Sequence, residues 1–373
     1  MRPSFRLLYF TALAALLLAG CSRKAPKATH HWFGMDTEFS ATLYGRGGEV
    51  PADSAFSALS RESRRLEEVF SDYLTQSALR RLTGNTGDTL QADAEITLVF
   101  RAAEEMAQAS RGSFDITLHD LKSAWGISSG DSGRVPSPPA ILAAMHGNPA
   151  LGAPADSNPA AYPPFRLLPG DRIVLLRDST VFDLGGIAKG YAVDRMHGIL
   201  DSLGYPDHIV SAGGDLRVGG RKGKSPWNLA IRHPRRADAL AGTLTLPEPL
   251  AISTSGDYER FFIRDGIRYH HIFDPRTGRP ARPYCSVTVL SPSSLLSDRL
   301  TKPLFILGPE KGAYLLKRFG ARAVWMREIP ATSGGDRVDA ADVEPRLCYT
   351  ASDGLAGVLA IREIEPCEQA NAP

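Results

Sequence analysis

Apolar positions along the chain fall into two periods, and each predicts its own kind of element. Phe56, Leu59, Leu66 and Phe70 keep the spacing of one helical face and predict a helix over Ser54 to Phe70. Further helices are predicted over about Ala92 to Ser110, Ala140 to His146 and Ala188 to Ser202, with another carrying Asp298 ahead of the run Leu304 to Gly308. Phe33 to Tyr44 alternates weakly and reads as a first strand, Ile173 to Leu176 and Val181 to Asp183 as a hairpin, and Cys285 to Leu290 as a strand. In Ile267 to Asp274 the alternation puts Ile267, Tyr269, His271 and Phe273 on one face and Arg268, His270, Ile272 and Asp274 on the other.

The N-terminus follows a different pattern. Met1-Arg2 and Arg6 precede an apolar run from Leu7 to Leu18, and Leu18-Ala19-Gly20 leads into Cys21. The run is too short to span a bilayer comfortably, and small residues before a cysteine fit a lipoprotein export signal, with Cys21 carrying the lipid. Residues 22–32 read as a polar tether, and Ser22, by resemblance to bacterial lipoproteins, favours the periplasmic face of the outer membrane. Residues 33–373 then form one unit, interrupted by a Pro-, Gly- and Ser-rich surface excursion over 128–164. The hydrophobic share of 43% suits a packed core, and 43 basic against 41 acidic residues argue against a nucleic-acid groove or a polybasic membrane patch.

Candidate chemistry concentrates in Tyr269 to Pro280. Asp274-Pro275 ends the ladder because proline has no N–H to donate, and Thr277-Gly278 supplies a turn. An imidazole at such a strand end is placed to move a proton near neutral pH, although a surface hairpin with two ordinary histidines has the same spacing. Upstream, Gly185-Gly186 runs into a helix whose first turn carries Lys189. Glycines admit a close backbone approach, the helix N-terminus offers N–H groups, and Lys189 adds charge for a diphosphate. It is not a Walker A loop, since Gly190 follows the lysine. Ser211-Ala212-Gly213-Gly214-Asp215-Leu216 reads as a tight turn against the same site.

Taken together, Asp183 to Asp194, Ser211 to Asp215, Ser253 to Arg260 and His271 to Gly278 resemble the ApbE-type FAD:protein FMN transferases, over roughly Met35 to Gly308. The resemblance implies an α+β fold, with helices packed on a mixed or antiparallel sheet of the ApbE (T-fold-like) architecture and an FAD cleft between its halves. It places Met35 near the flavin, although Asp36 stands where the family has glycine, and Tyr73 of Ser71-Asp72-Tyr73 against the isoalloxazine ring. Thr83 stands where the family carries asparagine. Ser113, Phe114, Asp115, Lys189, Ala192, His271 and Ile272 are implied to contact the cofactor, and His271 and Asp274 to serve catalysis. The family's Mg²⁺ is implied to use the Gly186 carbonyl and Asp298, with a threonine four residues after the aspartate. Here that position is Lys302, and Thr301 sits one place early. A protonated lysine cannot ligate a metal. Either Mg²⁺ is held by Asp298, Gly186, Thr301 and waters, or the Lys302 ammonium does the metal's charge work.

The activity so implied transfers FMN from FAD to a threonine or serine hydroxyl of an acceptor protein, with AMP leaving and His271 taking the proton. The acceptors would be periplasm-exposed, flavin-bearing subunits of membrane redox complexes. Lys302 and Asp36 keep two rivals open: an envelope lipoprotein that binds or hydrolyses FAD without transfer, and one that uses the fold as an interaction scaffold. Of the four cysteines, setting aside Cys21 leaves at most one internal pair. Cys348 and Cys367 are expected to bridge, with two independent thiols as the alternative. Cys285 is expected to be a buried thiol sharing a strand face with Val287 and Val289.

Overall fold

A computed structural model describes residues 27–45, 48, 50–127, 133–145, 163–329 and 345–370; the export signal with Cys21 and most of the 128–164 excursion lie outside them. Nine strands form the main sheet: β1 (Lys27–Gly34), β2 (Thr37–Tyr44), β3 (His208–Ala212), β4 (Asp215–Val218), β5 (Ala251–Gly256), β6 (Tyr284–Ser291), β7 (Arg322–Glu328), β8 (Leu347–Ala351) and β9 (Glu365–Pro366). Their order in space is their order in sequence, each pair antiparallel except the parallel β8–β9. The α+β class with a mixed sheet is therefore observed.

Six helices matter for the site: α1 (Ala52–Phe70), α2 (Ala94–Ala109), α3 (His119–Trp125), α4 (Pro138–Ala144), α5 (Ala188–Ser202) and α6 (Ser294–Phe319). α1 buries Phe56, Leu59, Leu66 and Phe70, the face its spacing predicted. One core joins helical residues to Phe39, Val210, Val287, Val289 and Trp325 on one sheet face. On the other face a three-stranded sheet, formed by Trp227–Arg232, Leu240–Leu246 and Leu359–Ile361, packs against Val218, Ile252, Leu290, Val324 and Met326. Each fully buried aliphatic side chain contributes roughly 1.5–3 kcal/mol to these layers.

Four expectations need correction. The polar tether of residues 22–32 is strand from Lys27 onward, because β1 pairs along its whole length with β2, Lys27 opposite Tyr44 and Gly34 opposite Thr37. Its alternation was masked by polar residues on the half-exposed face of an edge strand. The single strand read over Phe33 to Tyr44 is accordingly a hairpin, turning at Met35 (φ 49°) and Asp36 (φ 57°), the left-handed pair that a two-residue turn requires. Arg172–Leu175 does not pair with residues 181–183 but lies between Phe165–Leu168 and Thr89–Gln91. Finally, a register shift between Tyr284 and Ser286 turns Cys285 to the opposite face from Val287 and Val289, where it packs with Leu290, Val324 and Met326.

Cys285 is nevertheless a buried free thiol, its Sγ donating to the Met326 carbonyl at 3.1 Å, and burial pushes its pKa up to about 12. Cys348 and Cys367 are bridged across 19 residues. The bridge ties the C-terminal segment to β8. Closing a loop of that length stabilises a fold by roughly 3 kcal/mol. Cys367→Ser is therefore expected to lower the melting temperature by the amount that reductant lowers it in the parent protein. Melts with and without reductant check this, and a parent protein indifferent to reductant would refute it.

Candidate active site

One cleft opens at an end of the main sheet. It is lined by the β1–β2 turn at Met35 and Asp36, the β3–β4 turn at Gly213 and Gly214, the end of β5, the Gly185-Gly186 turn before α5, and the segment following the Phe261–Arg264 and Ile267–His270 hairpin. Tyr73, Ser113, Phe114 and Asp115 line one side of it, Lys189 of α5 and Lys302 of α6 its floor, and His271 and Ile272 the wall that follows the hairpin. Most of the expected site residues are thus brought together from positions as far apart as Met35 and Lys302.

The close approach of α5 to α6 builds the floor. An added Cβ at Gly190 would lie 2.4 Å from the Ser294 carbonyl oxygen and 2.7 Å from Asp298 Cβ, so only glycine lets the helices touch there. The Gly190 N–H then donates to Asp298 Oδ2 at 3.0 Å. The Lys302 ammonium donates to Asp298 Oδ1, one helical turn away. Lys189 Nζ donates to the Gly185 carbonyl at 2.9 Å and pairs with Asp215 at 3.4 Å. Burial alone would raise the fully buried Asp298 carboxyl, but Lys189, Lys302 and the Gly190 N–H hold it below the usual range. Burial and the neighbouring Asp298 push Asp215 upward, against the two lysines. Burial also opposes the Lys189 charge, yet Asp298 and Asp215 hold its pKa above the ordinary value. Two ammoniums and two carboxylates therefore share one buried floor.

On the opposite wall, the His271 N–H donates to the Arg260 carbonyl at 3.1 Å, and its ring Nδ1 lies 3.4 Å from the same oxygen. A carbonyl only accepts, so Nδ1 carries the proton and Nε2 keeps its lone pair. Burial, then His270, Arg260 and Lys302, push the His271 pKa well below its ordinary value, so the ring is neutral. Arg260 also pairs with Asp36 at 2.7 Å, which gives the left-handed turn a partner across the cleft. His270 is structural: it is buried, with Nε2 2.9 Å from the Ala281 carbonyl, and burial lowers its pKa to about 4. Ser113 Oγ is buried and, among the described residues, has no hydrogen-bond partner, as a hydroxyl awaiting a ligand would be.

Three expected roles do not survive. Asp274 spends its carboxylate on Arg276, at 2.8 and 2.7 Å, and does not line the cleft. Ala192 is fully buried in the helix-side core and also does not line it. Thr301 Oγ1 donates back to the Asp298 carbonyl and accepts from Ser255 Oγ, both at 2.8 Å, so it is turned away from any ion. The implied Mg²⁺ set does not fit. Both Asp298 oxygens are engaged, Asp298 is screened from the cleft, and Lys302 Cε lies 3.3 Å from where a Gly186 Cβ would be. The ammonium occupies the ground a cation would need.

Asp183, Asp215 and Arg260 were not singled out in the sequence although each lies inside a motif that was. Lys122, which pairs with Asp183 at 2.9 Å and Asp72 at 3.7 Å, gave no local signal, because its partners are far away in the chain.

The fold and its cleft define an α+β protein that gathers its ionisable groups at one end of a sequentially ordered sheet. The chain belongs to the ApbE family, whose family model matches residues 35–325. A protein of Rhodobacter capsulatus named FAD:protein FMN transferase is 30% identical over 320 residues, 84% of this chain and 58% of that one, so the chain spans less than two thirds of that relative. One of Vibrio cholerae with the same name is 30% identical over 82% of this chain and 89% of its own. The apo flavinyl transferase ApbE of Pseudomonas stutzeri superposes with a TM-score of 0.71 at 27% identity, covering 90% of this chain and 97% of that one.

Gly190→Ala is expected to force α5 off α6 and break the bond to Asp298, at about 1–3 kcal/mol, the usual cost of overpacking. Urea unfolding measures it, and an unchanged midpoint would refute the close-packing argument.

Proposed function

We propose that this protein transfers FMN from FAD to a threonine or serine hydroxyl of an acceptor protein, releasing AMP. The observation that carries the reading is His271: a neutral imidazole pinned through Nδ1, with Nε2 left to accept, in the same cleft as Lys189 and Lys302. The acceptor oxygen forms a bond to the FMN-side phosphorus, the bond to the bridging oxygen breaks, AMP leaves with that oxygen, and the hydroxyl proton goes to His271 Nε2. Charge developing on the phosphoryl oxygens meets the preorganised Lys189 and Lys302 ammoniums and the Gly185-Gly186 backbone. Tyr73, whose ring is half exposed at the cleft, suits a flat heterocycle, and the orphaned Ser113 hydroxyl suits a polar edge of that ligand. Because the donor set around Asp298 does not suit Mg²⁺, the fixed Lys302 charge stands in its place.

The Cys21 export signal supports a protein anchored by lipid on the periplasmic side of a bacterial membrane, the outer membrane being favoured by Ser22. Its partners would be flavin-bearing subunits of membrane redox complexes exposed there.

His271→Ala is expected to lower single-turnover transfer by about two to four orders of magnitude while FAD binding persists, because the base acts on the acceptor. In the parent protein the base works only when deprotonated. Its lowered pKa therefore places the acid limb of the rate profile below pH 6.5, the ordinary histidine value. A near-parental rate, or an acid limb above that value in the parent, would remove His271 from the role.

Lys302→Thr is expected to uncover Asp298 and make transfer depend on Mg²⁺, while the parent retains activity in chelator. Titration of both forms against Mg²⁺ decides, and superimposable curves would refute the substitution of lysine for metal.

A further inference from the structure

α5 ends far from the cleft in a second polar cluster that the transfer chemistry does not use. His197 and Asp201 lie one turn apart near its C-terminus, and His208 opens β3. His208 Nδ1 is 2.7 Å from the Tyr205 carbonyl oxygen, which only accepts, so that nitrogen carries a proton. His197 Nε2 lies 3.3 Å from the Asp201 carboxylate. His208 Nε2 therefore keeps its lone pair, and His197 Nδ1 faces it at 2.8 Å, the length of an N–H···N hydrogen bond. The proton shared there is the one a metal ion would displace, leaving both nitrogens as ligands.

We propose that His197 Nδ1 and His208 Nε2 are ligands of a second site, for a transition-metal dication of the Zn²⁺ type, with Asp201 orienting His197 at the solvent side. Imidazole nitrogens suit Zn²⁺, Cu²⁺ or Ni²⁺, whereas Mg²⁺ and Ca²⁺ prefer oxygen. His208 already makes the outer hydrogen bond that metal-bound histidines make, to the Tyr205 carbonyl, and the Asp201 carboxylate lies 3.3 Å from the outer nitrogen of His197. A tetrahedral ion with Zn–N of about 2.0–2.1 Å needs its nitrogens about 3.3 Å apart, so the rings would open by roughly half an ångström. His197, at the more exposed position, is the ring free to move, since the His208 side chain is wholly buried. The site also has a built backing: an added Cβ at Gly219 would lie 2.5 Å from His208 Cε1, so glycine makes the room this ring occupies. Asp201, about half exposed, leaves the remaining coordination positions open to water or a further ligand.

The full-length protein, stripped with chelator and dialysed against Zn²⁺, tests this. The parent and the His271→Asn variant are each expected to retain about one equivalent after desalting and to melt at a higher temperature with Zn²⁺. His197→Gln is expected to lose that equivalent, and Asp201→Asn to bind about 10- to 100-fold more weakly. No retained Zn²⁺ in the parent, or equal retention in His197→Gln, would overturn the proposal. Should His197→Gln fail to fold, anomalous diffraction at the zinc edge from Zn²⁺-soaked parent crystals decides. A peak between the two rings supports the site, and peaks only elsewhere, or none, overturn it.

Discussion

The buried carboxylate of Asp298 is the constraint on which the cleft depends. A charge fully removed from water is costly unless its oxygens are all engaged, and here an ammonium and a backbone N–H engage them. That requirement fixes the distance between α5 and α6, which in turn demands glycine at position 190. Lys189, one residue earlier on α5, is then carried to the cleft floor beside Asp215. The placement of the cleft lysines is thus a consequence of satisfying one carboxylate.

A second constraint orients the other wall. The Phe261–Arg264 and Ile267–His270 strands pair, and the Arg260 carbonyl just outside them receives both the backbone and the side chain of His271. Arg260 cannot move without releasing His271, and its own side chain is tied to Asp36 in the β1–β2 turn. Asp36 therefore does more than occupy a left-handed position that glycine would fill more readily. It links the turn at the rim of the cleft to the residue that sets the imidazole tautomer.

Much of this was legible in the sequence, for reasons that differ by element. α5 was read with its observed bounds because its apolar spacing and the glycine turn before it are local signals. The cleft residues were legible where they sit inside compact motifs, as His271, Lys189 and Gly186 do. β1 was not legible, since an edge strand with one half-exposed face carries no apolar alternation. The Asp274 and Thr301 roles failed for a shared reason. Both residues are positioned near the chemistry but spend their polar atoms on neighbours, Arg276 in one case and Ser255 in the other. Proximity in sequence to a motif says nothing about how a side chain's hydrogen bonds are spent. The Cys285 face failed because a single bulge inverts every alternation argument beyond it.

On the proposed function, Lys302 replaces an exchangeable dication by a fixed monocation, and that exchange would have consequences in both directions. A unit charge about 4 Å from a phosphoryl oxygen is worth roughly 4 kcal/mol at an effective dielectric of 20, so halving the charge sacrifices attraction of that order. Against this, the lysine is covalently present and already oriented, with no ion concentration to meet and no inner hydration shell to strip. Its orientation is held by Asp298, and that pairing offsets part of the field it offers a substrate. Lys189, whose charge Asp298 and Asp215 hold in place against burial, shares the task. The floor is thus closer to a neutral ion-pair lattice than to a cationic pocket, and its advantage lies in dipoles that need not reorganise as charge moves from acceptor oxygen to leaving group.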